Sequence, residues 1–351
     1  MSSSSPTKIS TIDLFCGAGG LSLGLKQVGI KVAAGIDLDP TCSYPYSHNI
    51  GADFIQADVS TITGRDLWDL WMPNSIRLLA GCAPCQPFSS QRRGVDTREE
   101  ENWSLLAHFG RLVNQAEPEL VTMENVTRLA SQSIFKDFVS DLRSLGYNLT
   151  YGTLYGPGFG LPQERRRLVL MASRIGEVSL PRRYRIHTFR TVRQAIGELP
   201  DIKAGDVDPD DALHRARALN ELNLTRLRSS KPGGTWRDWP EELRAPCHRR
   251  SSGSSFGAFY GRMEWDKPSP TVTTQFFNLG TGRFGHPEQD RAITLREAAI
   301  LQGFPRGYQF VPPNQNPVQA RVGRLIGNAV PPAFGRAIGR EFLKTASRGK
   351  K

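Results

Sequence analysis

ISTIDLFCGAGGL, residues 9–21, runs from an apolar segment through a glycine-rich loop into an amphipathic segment. Ile9–Phe15 has the composition of a buried strand, and Leu21–Val28 has the apolar spacing of a helix. The same alternation continues to about residue 175, which is typical of an α/β fold with a doubly wound, mostly parallel sheet. The further predicted strands are Val32–Ile36, Asp53–Gln56, Ile76–Ala80, Leu120–Met123, Asn148–Leu154 and Leu168–Ala172. The further predicted helices of this region are Cys42–Asn49, Leu105–Gln115 and Phe135–Leu145.

The alternation of strands and helices stops at about residue 176. From there to about residue 290, glycine, proline, serine and arginine dominate, and the hydrophobic periodicity is weak. Helical patterns return at Thr294–Gln302, where Thr294 can cap the helix together with Glu297, and at Pro332–Leu343. The sequence therefore predicts a smaller, loop-rich second domain after the α/β domain.

Composition and charge restrict the class of protein. The chain is 38% hydrophobic, and it has no apolar run near the ~18 residues of a membrane helix. Its first six residues lack the apolar core of a signal peptide, and five cysteines in 351 residues do not make a disulfide framework, so we expect an intracellular protein. Residues 1–180 hold 16 Lys and Arg against 18 Asp and Glu, whereas residues 181–351 hold 29 against 16. The basic second half indicates a polyanionic partner, although a merely basic soluble surface has the same composition.

The glycine-rich loop favours a ligand that carries no phosphate. Glycines allow the backbone to approach a ligand closely, but Ser22 stands where a dinucleotide-binding loop needs its third glycine. Asp37 ends the second strand, where a carboxylate can accept hydrogen bonds from both hydroxyls of a ribose. Asp58 follows the third strand and can accept from an exocyclic amine, although a solvated turn carboxylate is the alternative for it and for Asp39. This pattern indicates S-adenosylmethionine or another nucleoside ligand.

Residues suited to catalysis stand at the ends of predicted strands. GCAPCQPFS, residues 81–89, follows Ile76–Ala80 and holds Cys85 between two prolines. Glu124 follows an apolar strand and is a candidate acid, unless it is a strand-end glutamate that only pairs with an arginine. In QERRR, residues 163–167, Arg165 and Arg167 share one face of an extended chain, which suits an anionic group or a basic strand edge.

Cys82 and Cys85 form a Cys-x-x-Cys pair, which also invites a zinc or redox hypothesis. Structural zinc usually takes four ligands, and no second pair with suitable spacing exists in the sequence. We therefore expect no metal, and we expect Cys82 to be a packing residue.

These segments, in this order, resemble the DNA (cytosine-5)-methyltransferase family of bacteria. The matching segments are DLFCGAGG at 13–20, GCAPCQPFS at 81–89, ENV at 124–126, QERRR at 163–167, RAITLREAAILQGFP at 291–305 and GNAVPP at 327–332. They span nearly the whole chain. The resemblance implies the S-adenosylmethionine-dependent methyltransferase fold and methylation of a flipped cytosine in duplex DNA.

The resemblance also implies the catalytic residues. Cys85 adds to C6 of the cytosine, and Glu124 holds N3 and the exocyclic amine. Arg165 contacts the base, and Arg167 helps to hold the flipped nucleotide or Glu124. The expected proton acceptor for C5 is a water molecule.

For the cofactor S-adenosylmethionine, the resemblance implies a pocket formed by both ends of the chain. The family usually has glutamate where this chain has Asp37, so the ribose contact is expected to shift by one methylene. The cofactor-binding residues expected are Phe15, Gly17, Gly19, Leu21, Asp37, Leu38, Asp58, Val59, Pro84, Asn328 and Val330.

DNA contacts are expected in two places. One is the segment after the nucleophile, which is a mobile loop in the family, and the other is the variable region at about 180–280, which would read the sequence. The DNA-binding residues expected are Ser89, Gln91, Arg92, Arg93, Arg249 and Arg250. The variable region also contains Arg182, Arg183, Trp236 and Trp239.

The resulting domain prediction has five segments. They are a flexible leader at 1–7, a catalytic and cofactor-binding domain at 8–178, a target-recognition domain at 179–285, a C-terminal segment at 286–345 that packs back on the catalytic domain, and a basic tail at 346–351. We expect a cytoplasmic, nucleoid-associated monomer acting on double-stranded DNA, without a membrane partner, in a restriction-modification system with a cognate endonuclease. The alternatives are a tRNA cytosine-5 methyltransferase and a catalytically silent DNA-binding regulator. The long variable region is evidence against the tRNA alternative.

Overall fold

The computed structural model describes residues 8–84, 101–184, 188–249, 257 and 259–348, with only the backbone for residues 101–104. Within these residues no helix has the length and apolar character needed to span a membrane. The contacts within the chain group it into two compact units. The first unit is Met1–Tyr155, Arg166–Tyr184 and Val330–Lys351, and the second is Gly156–Arg165 and Arg185–Ala329.

A seven-stranded sheet forms the centre of the first unit, with the strand order β3-β2-β1-β4-β5-β7-β6. The strands are β1 (Ile9–Leu14), β2 (Lys31–Asp37), β3 (Asp53–Gln56), β4 (Ile76–Gly81), β5 (Leu120–Asn125), β6 (Asn148–Tyr155) and β7 (Arg166–Ser173). Neighbouring strands from β3 to β5 pair in parallel, whereas β7 pairs antiparallel with both β5 and β6. The strand order reverses between β1 and β4, and open α/β sheets bind ligands at the carboxyl ends of the strands beside such a reversal.

Helices pack on this sheet because their apolar faces cover its buried strands. The helices of the first unit are α1 (Gly20–Gln27), α2 (Ser43–Ile50), α3 (Gly64–Leu70), α4 (Glu101–Ala116), α5 (Ser133–Ser144) and α10 (Pro332–Arg348). Phe109 of α4 and Phe138 of α5 are buried and meet edge to face, with ring centroids 5.8 Å apart. Every residue of β1 and of β5 is buried, including polar residues such as Asp13 and Glu124.

Glycines allow α10 to lie directly against α1. A Cβ atom on Gly24 would lie 2.7 Å from the backbone nitrogen of Arg336 and 2.7 Å from the Cα of Gly335. A Cβ atom on Gly335 would lie 2.5 Å from the carbonyl oxygen of Leu21. The side chain of Arg336 also donates to Gln27 of α1 at 2.6 Å. The C-terminal helix is thus fixed to the helix that follows the glycine-rich loop.

The second unit contains little regular structure in its described residues. Its helices are α6 (Val192–Ile196), α7 (Glu221–Arg228), α8 (Leu295–Leu301) and α9 (Gln319–Asn328). Buried arginines hold its irregular segments together. Arg262, 5% exposed, donates to the carbonyl oxygens of Leu227, Ser230, His286 and Gln289. An arginine offers five donors, so one side chain can satisfy several carbonyl groups that have no helix or strand partner.

The predicted secondary structure agrees with this fold in the first unit. All seven predicted strands are present, and the Thr294 cap with Glu297 forms as expected at the start of α8. The short helices α3, α6, α7 and α9 were not predicted, because helices of five to ten residues show few repeats of their apolar spacing. Residues 286–329 belong to the second unit, and residues 330–345 belong to the first. The predicted C-terminal segment, 286–345, combined these two ranges. α10 packs on α1 within the first unit. The functional names of these ranges stay predictions.

Replacement of Gly24 by alanine tests the contact between α1 and α10. Alanine normally stabilises a helix interior by about 1 kcal/mol relative to glycine, but here the added methyl group collides with backbone atoms that cannot rotate away. We expect Gly24→Ala to lower the free energy of unfolding by about 2 kcal/mol, measured by urea denaturation. Gly307, around which a Cβ atom meets nothing within 4 Å, provides the control variant Gly307→Ala, which should stay within about 0.5 kcal/mol of the parent.

Candidate active site

The register of β5 with its two neighbours brings three predicted or motif side chains together. In the parallel pair, Gly81 of β4 lies opposite Met123, so Cys82 follows directly beside Glu124. In the antiparallel pair, Glu124 lies opposite Val169, and Arg167 is two residues away on the same face of the sheet. The strand pairing therefore directs Cys82 and Arg167 toward the Glu124 carboxylate from opposite sides.

The Glu124 carboxylate is contacted through both oxygens. The Cys82 thiol donates to Oε2 at 2.9 Å, and Nε of Arg167 lies 3.2 Å from Oε1. Only 3% of the Glu124 side chain is exposed, against 16% for Arg167. Burial, together with the negative charge of Glu124, raises the pKa of the Cys82 thiol well above its ordinary value. Cys82 is thus a hydrogen-bond donor to the candidate acid, and this contact goes beyond the packing role expected for it.

Asn125 points to the other side of β5 and holds the segment that precedes Cys85. Its side-chain amide donates to the carbonyl oxygen of Ala83 at 2.9 Å, and its own oxygen accepts from the backbone of Val126 at 2.8 Å. The motif ENV was recognised in the sequence, but this anchoring role of its middle residue was not. Cys85 itself lies outside the described residues, as do Ser89, Gln91, Arg92, Arg93 and Arg250.

The glycine-rich loop after β1 is wound tightly by left-handed residues. Phe15 has φ 56°, Gly17 has φ 52° and Gly19 has φ 82°, and the positive φ of Phe15 is costly for a residue with a side chain. The N–H of Gly17 donates to Asp37, and that of Gly19 donates to the carbonyl oxygen of Cys16. Because both donors already have acceptors within the protein, they are not directed at a phosphate, which agrees with the expected phosphate-free ligand.

The residues expected around a nucleoside differ in their exposure. Leu38 is 63% exposed at the end of β2, and Asp58 is exposed in the turn after β3, where its carboxylate accepts from the backbone of Ser60 at 2.8 Å. That hydrogen bond lowers the pKa of Asp58. Leu21 and Val59, at 2% and 3% exposure, are core residues, so their side chains pack inside the protein.

Asp37 connects the glycine-rich loop to the end of β2. One carboxylate oxygen accepts from Gly17 N–H at 2.9 Å and the other from Asp39 N–H at 2.9 Å. Partial burial raises the pKa of Asp37, while these two backbone hydrogen bonds act in the opposite direction. Each carboxylate oxygen has a second lone pair, so Asp37 can still accept from two hydroxyl groups.

A buried polar network that was not recognised in the sequence lies behind this loop. Ser22 donates to Asp13 at 2.6 Å and shares a second hydrogen bond with the Tyr46 hydroxyl at 2.8 Å. Burial raises the pKa of Asp13 to about 7. A Cβ atom on Gly35 would lie 2.5 Å from the Tyr46 ring, so this glycine makes room for the network. Ser22, which excluded a dinucleotide-binding loop, therefore links α1 to the buried end of β1.

Arg165 belongs to the second unit and is 2% exposed. Its guanidinium group donates to the carbonyl oxygens of Val272 at 3.1 Å, Gly327 at 3.1 Å and Ala329 at 3.3 Å. These contacts favour a structural role in which Arg165 holds the GNAV segment, and the base contact implied by the resemblance stays a prediction. Asn328 is exposed in the second unit, whereas Val330 is buried and Pro84 exposed in the first.

The tryptophans of the variable region are buried. Trp236 and Trp239 are 5% and 2% exposed, and Trp236 stacks on His248 with ring centroids 4.3 Å apart. Arg226 lies over the Trp239 ring and donates to the carbonyl oxygen of Leu243. Arg249 is exposed, with one guanidinium nitrogen donating to two nearby carbonyl oxygens. These aromatic residues therefore form the core of the region, and its arginines divide into buried structural ones and exposed ones.

Comparison with known proteins gives a consistent family. The family described as C-5 cytosine-specific DNA methylase matches residues 9–344. The chain is 47% identical over 337 residues to the Type II methylase M.HgiDII of Herpetosiphon aurantiacus, covering 95% of this chain and 94% of that protein. It is 32% identical over 342 residues to the Type II methyltransferase M1.HphI of Haemophilus parahaemolyticus, covering 95% of this chain and 86% of that protein.

Solved structures support the same fold. A putative DNA modification methyltransferase encoded within an E. coli prophage superposes with a TM-score of 0.75 at 22% identity, covering 97% of this chain and 100% of that chain. The Dnmt2 methyltransferase of S. pombe superposes with a TM-score of 0.59 at 18% identity, covering 97% and 99% of the two chains.

Asp13 predicts a specific dependence of stability on pH. Because its pKa in the folded protein is raised to about 7 from 3.8, the stabilisation that comes from protonation is complete below pH 4 and is lost as the pH rises to about 7. In the parent protein we expect the free energy of unfolding, measured by urea denaturation, to fall by about 2–3 kcal/mol between pH 5 and pH 8. In Asp13→Asn this fall should be absent. The exposed Asp53 gives the control Asp53→Asn, and equal pH dependence in both variants would contradict the assignment.

Arg165→Lys tests the structural role of that guanidinium group. A lysine has one ammonium group and cannot reach three separate carbonyl oxygens in the same fork geometry. We expect the second unit to lose about 2–4 kcal/mol of stability, seen as faster hydrogen exchange at residues 270–329. Arg166, which is exposed and lies over the Tyr155 ring, gives the control Arg166→Lys, with an expected change below about 1 kcal/mol. Unchanged exchange in Arg165→Lys would show that the contacts are dispensable.

Proposed function

The chain belongs to the C-5 cytosine-specific DNA methylase family, and from this premise we propose how its residues carry out the transfer of a methyl group to C5 of cytosine in duplex DNA. The observation that carries the proposal is the buried Glu124 carboxylate, held between Cys82 and Arg167 at the end of β5. A carboxyl group of this kind can accept a hydrogen bond from the exocyclic amine and, when protonated, donate one to N3 of a cytosine that has left the base stack.

Cytosine C5 is too weakly nucleophilic to accept a methyl group directly. In the proposed reaction the Cys85 thiolate forms a bond to C6, and the electron pair of the C5–C6 double bond moves into the ring. N3 takes up a proton delivered by Glu124, so that negative charge does not build up on the ring, and this proton returns to Glu124 when the bond from Cys85 to C6 breaks. C5 then takes the methyl group. Loss of the C5 proton to water restores the double bond as the bond from Cys85 to C6 breaks, which returns the thiolate. Arg167 keeps Glu124 oriented and neutralises its charge at 3.2 Å.

The methyltransferase family and fold imply S-adenosylmethionine, whose sulfonium group supplies an activated methyl. The residues present fit this ligand, because Asp37 retains lone pairs for a ribose diol and the exposed Leu38 offers an apolar face for adenine. Asp58 can accept from the adenine amine. Phe15, Gly17 and Gly19 would shape the loop beside the methionine part. For Leu21 and Val59, whose side chains are buried, backbone contacts are the proposed role.

For target recognition we propose residues 179–285, most of which belong to the second unit. The high arginine content of this half supports phosphate contacts, which give affinity that falls with salt. Exposed residues such as Arg249 are better candidates for DNA contact than Arg226, whose guanidinium group is engaged inside the unit. Arg250, Ser89, Gln91, Arg92 and Arg93 stay in the proposal on the basis of the resemblance.

A restriction-modification setting is supported by the names of two relatives, both of which are Type II methylases. We propose a monomer that acts in the cytoplasm on nucleoid DNA, together with an endonuclease that cuts the same site. Methylation of tRNA has less support, because the matching family is described as a DNA methylase. A silent regulator is disfavoured because every motif residue required for turnover is present.

Trapping with 5-fluorocytosine tests Cys85 as the nucleophile. After methyl transfer the fluorine at C5 cannot leave as a proton does, so the bond between the thiol and C6 persists. The methylated site is first found by methylation sequencing after expression in a methylation-free host. A duplex with 5-fluorocytosine at that site should then form a covalent complex with the protein that survives denaturing electrophoresis. Cys85→Ser should form none and should lower the methylation rate at least ~10³-fold, since the nucleophile is removed.

The exposed Cys247 provides the matched control, because Cys247→Ser loses a thiol of the second unit. It should form the covalent complex at the parent rate. A full yield of complex from Cys85→Ser, or methylation of tRNA in place of duplex DNA, would contradict the proposal.

A further inference from the structure

We propose that Cys82 is a positioning residue for the reaction, whose thiol orients the Glu124 carboxylate toward the target base. The proposal rests on the function proposed above, in which Glu124 receives the cytosine. It assigns distinct tasks to the two cysteines of the Cys-x-x-Cys pair, with Cys85 as the nucleophile and Cys82 as a hydrogen-bond donor.

The geometry requires two contacts to fix the carboxylate. The last torsion of a glutamate side chain is broad, so one ion pair leaves the plane of the carboxylate free to turn. Here Arg167 engages Oε1 at 3.2 Å and Cys82 engages Oε2 at 2.9 Å. The carboxylate thus has a hydrogen bond on Oε2 and an ion pair on Oε1, which accepts no hydrogen bond from the described residues, so Cys82 provides the directional contact that restricts the carboxylate plane before a base arrives.

The chemistry of the thiol suits this task. Burial and the neighbouring negative charge of Glu124 raise the pKa of Cys82 well above its ordinary value, although Arg167 opposes the shift. The thiol therefore stays protonated at neutral pH, which keeps it a donor and prevents it from competing as a thiolate nucleophile. A thiol is a weak donor, so it stabilises the carboxylate without competing strongly with the amine of an arriving base.

The backbone at this position is held independently of the side chain. The N–H of Cys82 donates to the carbonyl oxygen of Leu14 at 3.3 Å, and Asn125 holds the next residue through the carbonyl oxygen of Ala83 at 2.9 Å. Truncation of the Cys82 side chain should therefore leave the strand end in place, so an effect on activity can be attributed to the lost donor.

The test compares Cys82→Ala, which lacks the donor, with Cys82→Ser, which keeps one. We expect Cys82→Ala to lower kcat about 10-fold with an unchanged KM for S-adenosylmethionine, because a hydrogen bond to a charged group is lost where the base reacts. Cys82→Ser should recover to within about 3-fold of the parent. Cys42→Ala removes another buried sulfur of the first unit and serves as the control for packing, with less than about a 2-fold change expected.

A double-mutant cycle separates positioning from packing. If Cys82 acts through Glu124, Cys82→Ala should have almost no further effect in a Glu124→Gln background. Equal losses in Cys82→Ala and Cys82→Ser, additive effects in the cycle, or parent activity in Cys82→Ala would overturn the proposal. Should Cys82→Ala fail the thermal-unfolding check, Cys82→Val, which also lacks a donor, replaces it.

The cycle also distinguishes the two proposals. If the parent is active, Glu124→Gln is inactive and Cys82→Ala is fully active, the role of Cys82 is refuted and the base-binding role of Glu124 stands. Parent activity in Glu124→Gln would refute both that role and the base-binding role of Glu124.

Discussion

The register of β5 between β4 and β7 is the constraint on which the candidate site depends. A parallel neighbour on one side and an antiparallel neighbour on the other direct Cys82 and Arg167 to the same carboxylate. A slip of one residue in either pairing would turn the facing side chains to the opposite face of the sheet, because side chains alternate along a strand. The buried apolar residues of β5 prevent such a slip, so the core of the first unit also fixes the geometry of the site.

The second unit is stabilised in a different way. Its irregular segments leave many carbonyl groups without helix or strand partners, and buried arginines supply the donors. Arg165 and Arg262 each hold at least three backbone carbonyl groups. Arg291 forms a buried pair with Glu297, in which both guanidinium nitrogens lie 2.8 Å from the carboxylate. The pKa of Glu297 is lowered to about 2 because the attraction of Arg291 outweighs the effect of burial. Much of the arginine content is therefore structural, so net charge alone overstates the surface available to DNA.

Residues proposed for cofactor binding and residues proposed for catalysis lie at neighbouring strand ends of the first unit. The N–H groups of Gly17 and Gly19 in the loop after β1 already have acceptors, and the Asp37 carboxylate at the end of β2 retains lone pairs for the proposed ligand. The residues after β4 and β5 instead create a buried anionic group with a fixed orientation. Behind the loop, Asp13 and Ser22 connect β1 to α1, and α1 is in turn held by the glycine contact with α10. Residues from both ends of the chain thus support the loop.

The sequence by itself determined the family, the seven strands and the order of the motifs, because hydrophobic periodicity and short motifs are local properties of the chain. The resemblance also implied that Arg167 holds either the flipped nucleotide or Glu124, and the structure shows the contact with Glu124. Only the tertiary structure decided that Cys82 bonds to Glu124, that Arg165 holds backbone carbonyl groups and that Trp236 and Trp239 are core residues. These features depend on contacts between residues tens to more than a hundred positions apart, which are set by strand register and loop packing and leave no periodic signal in the sequence.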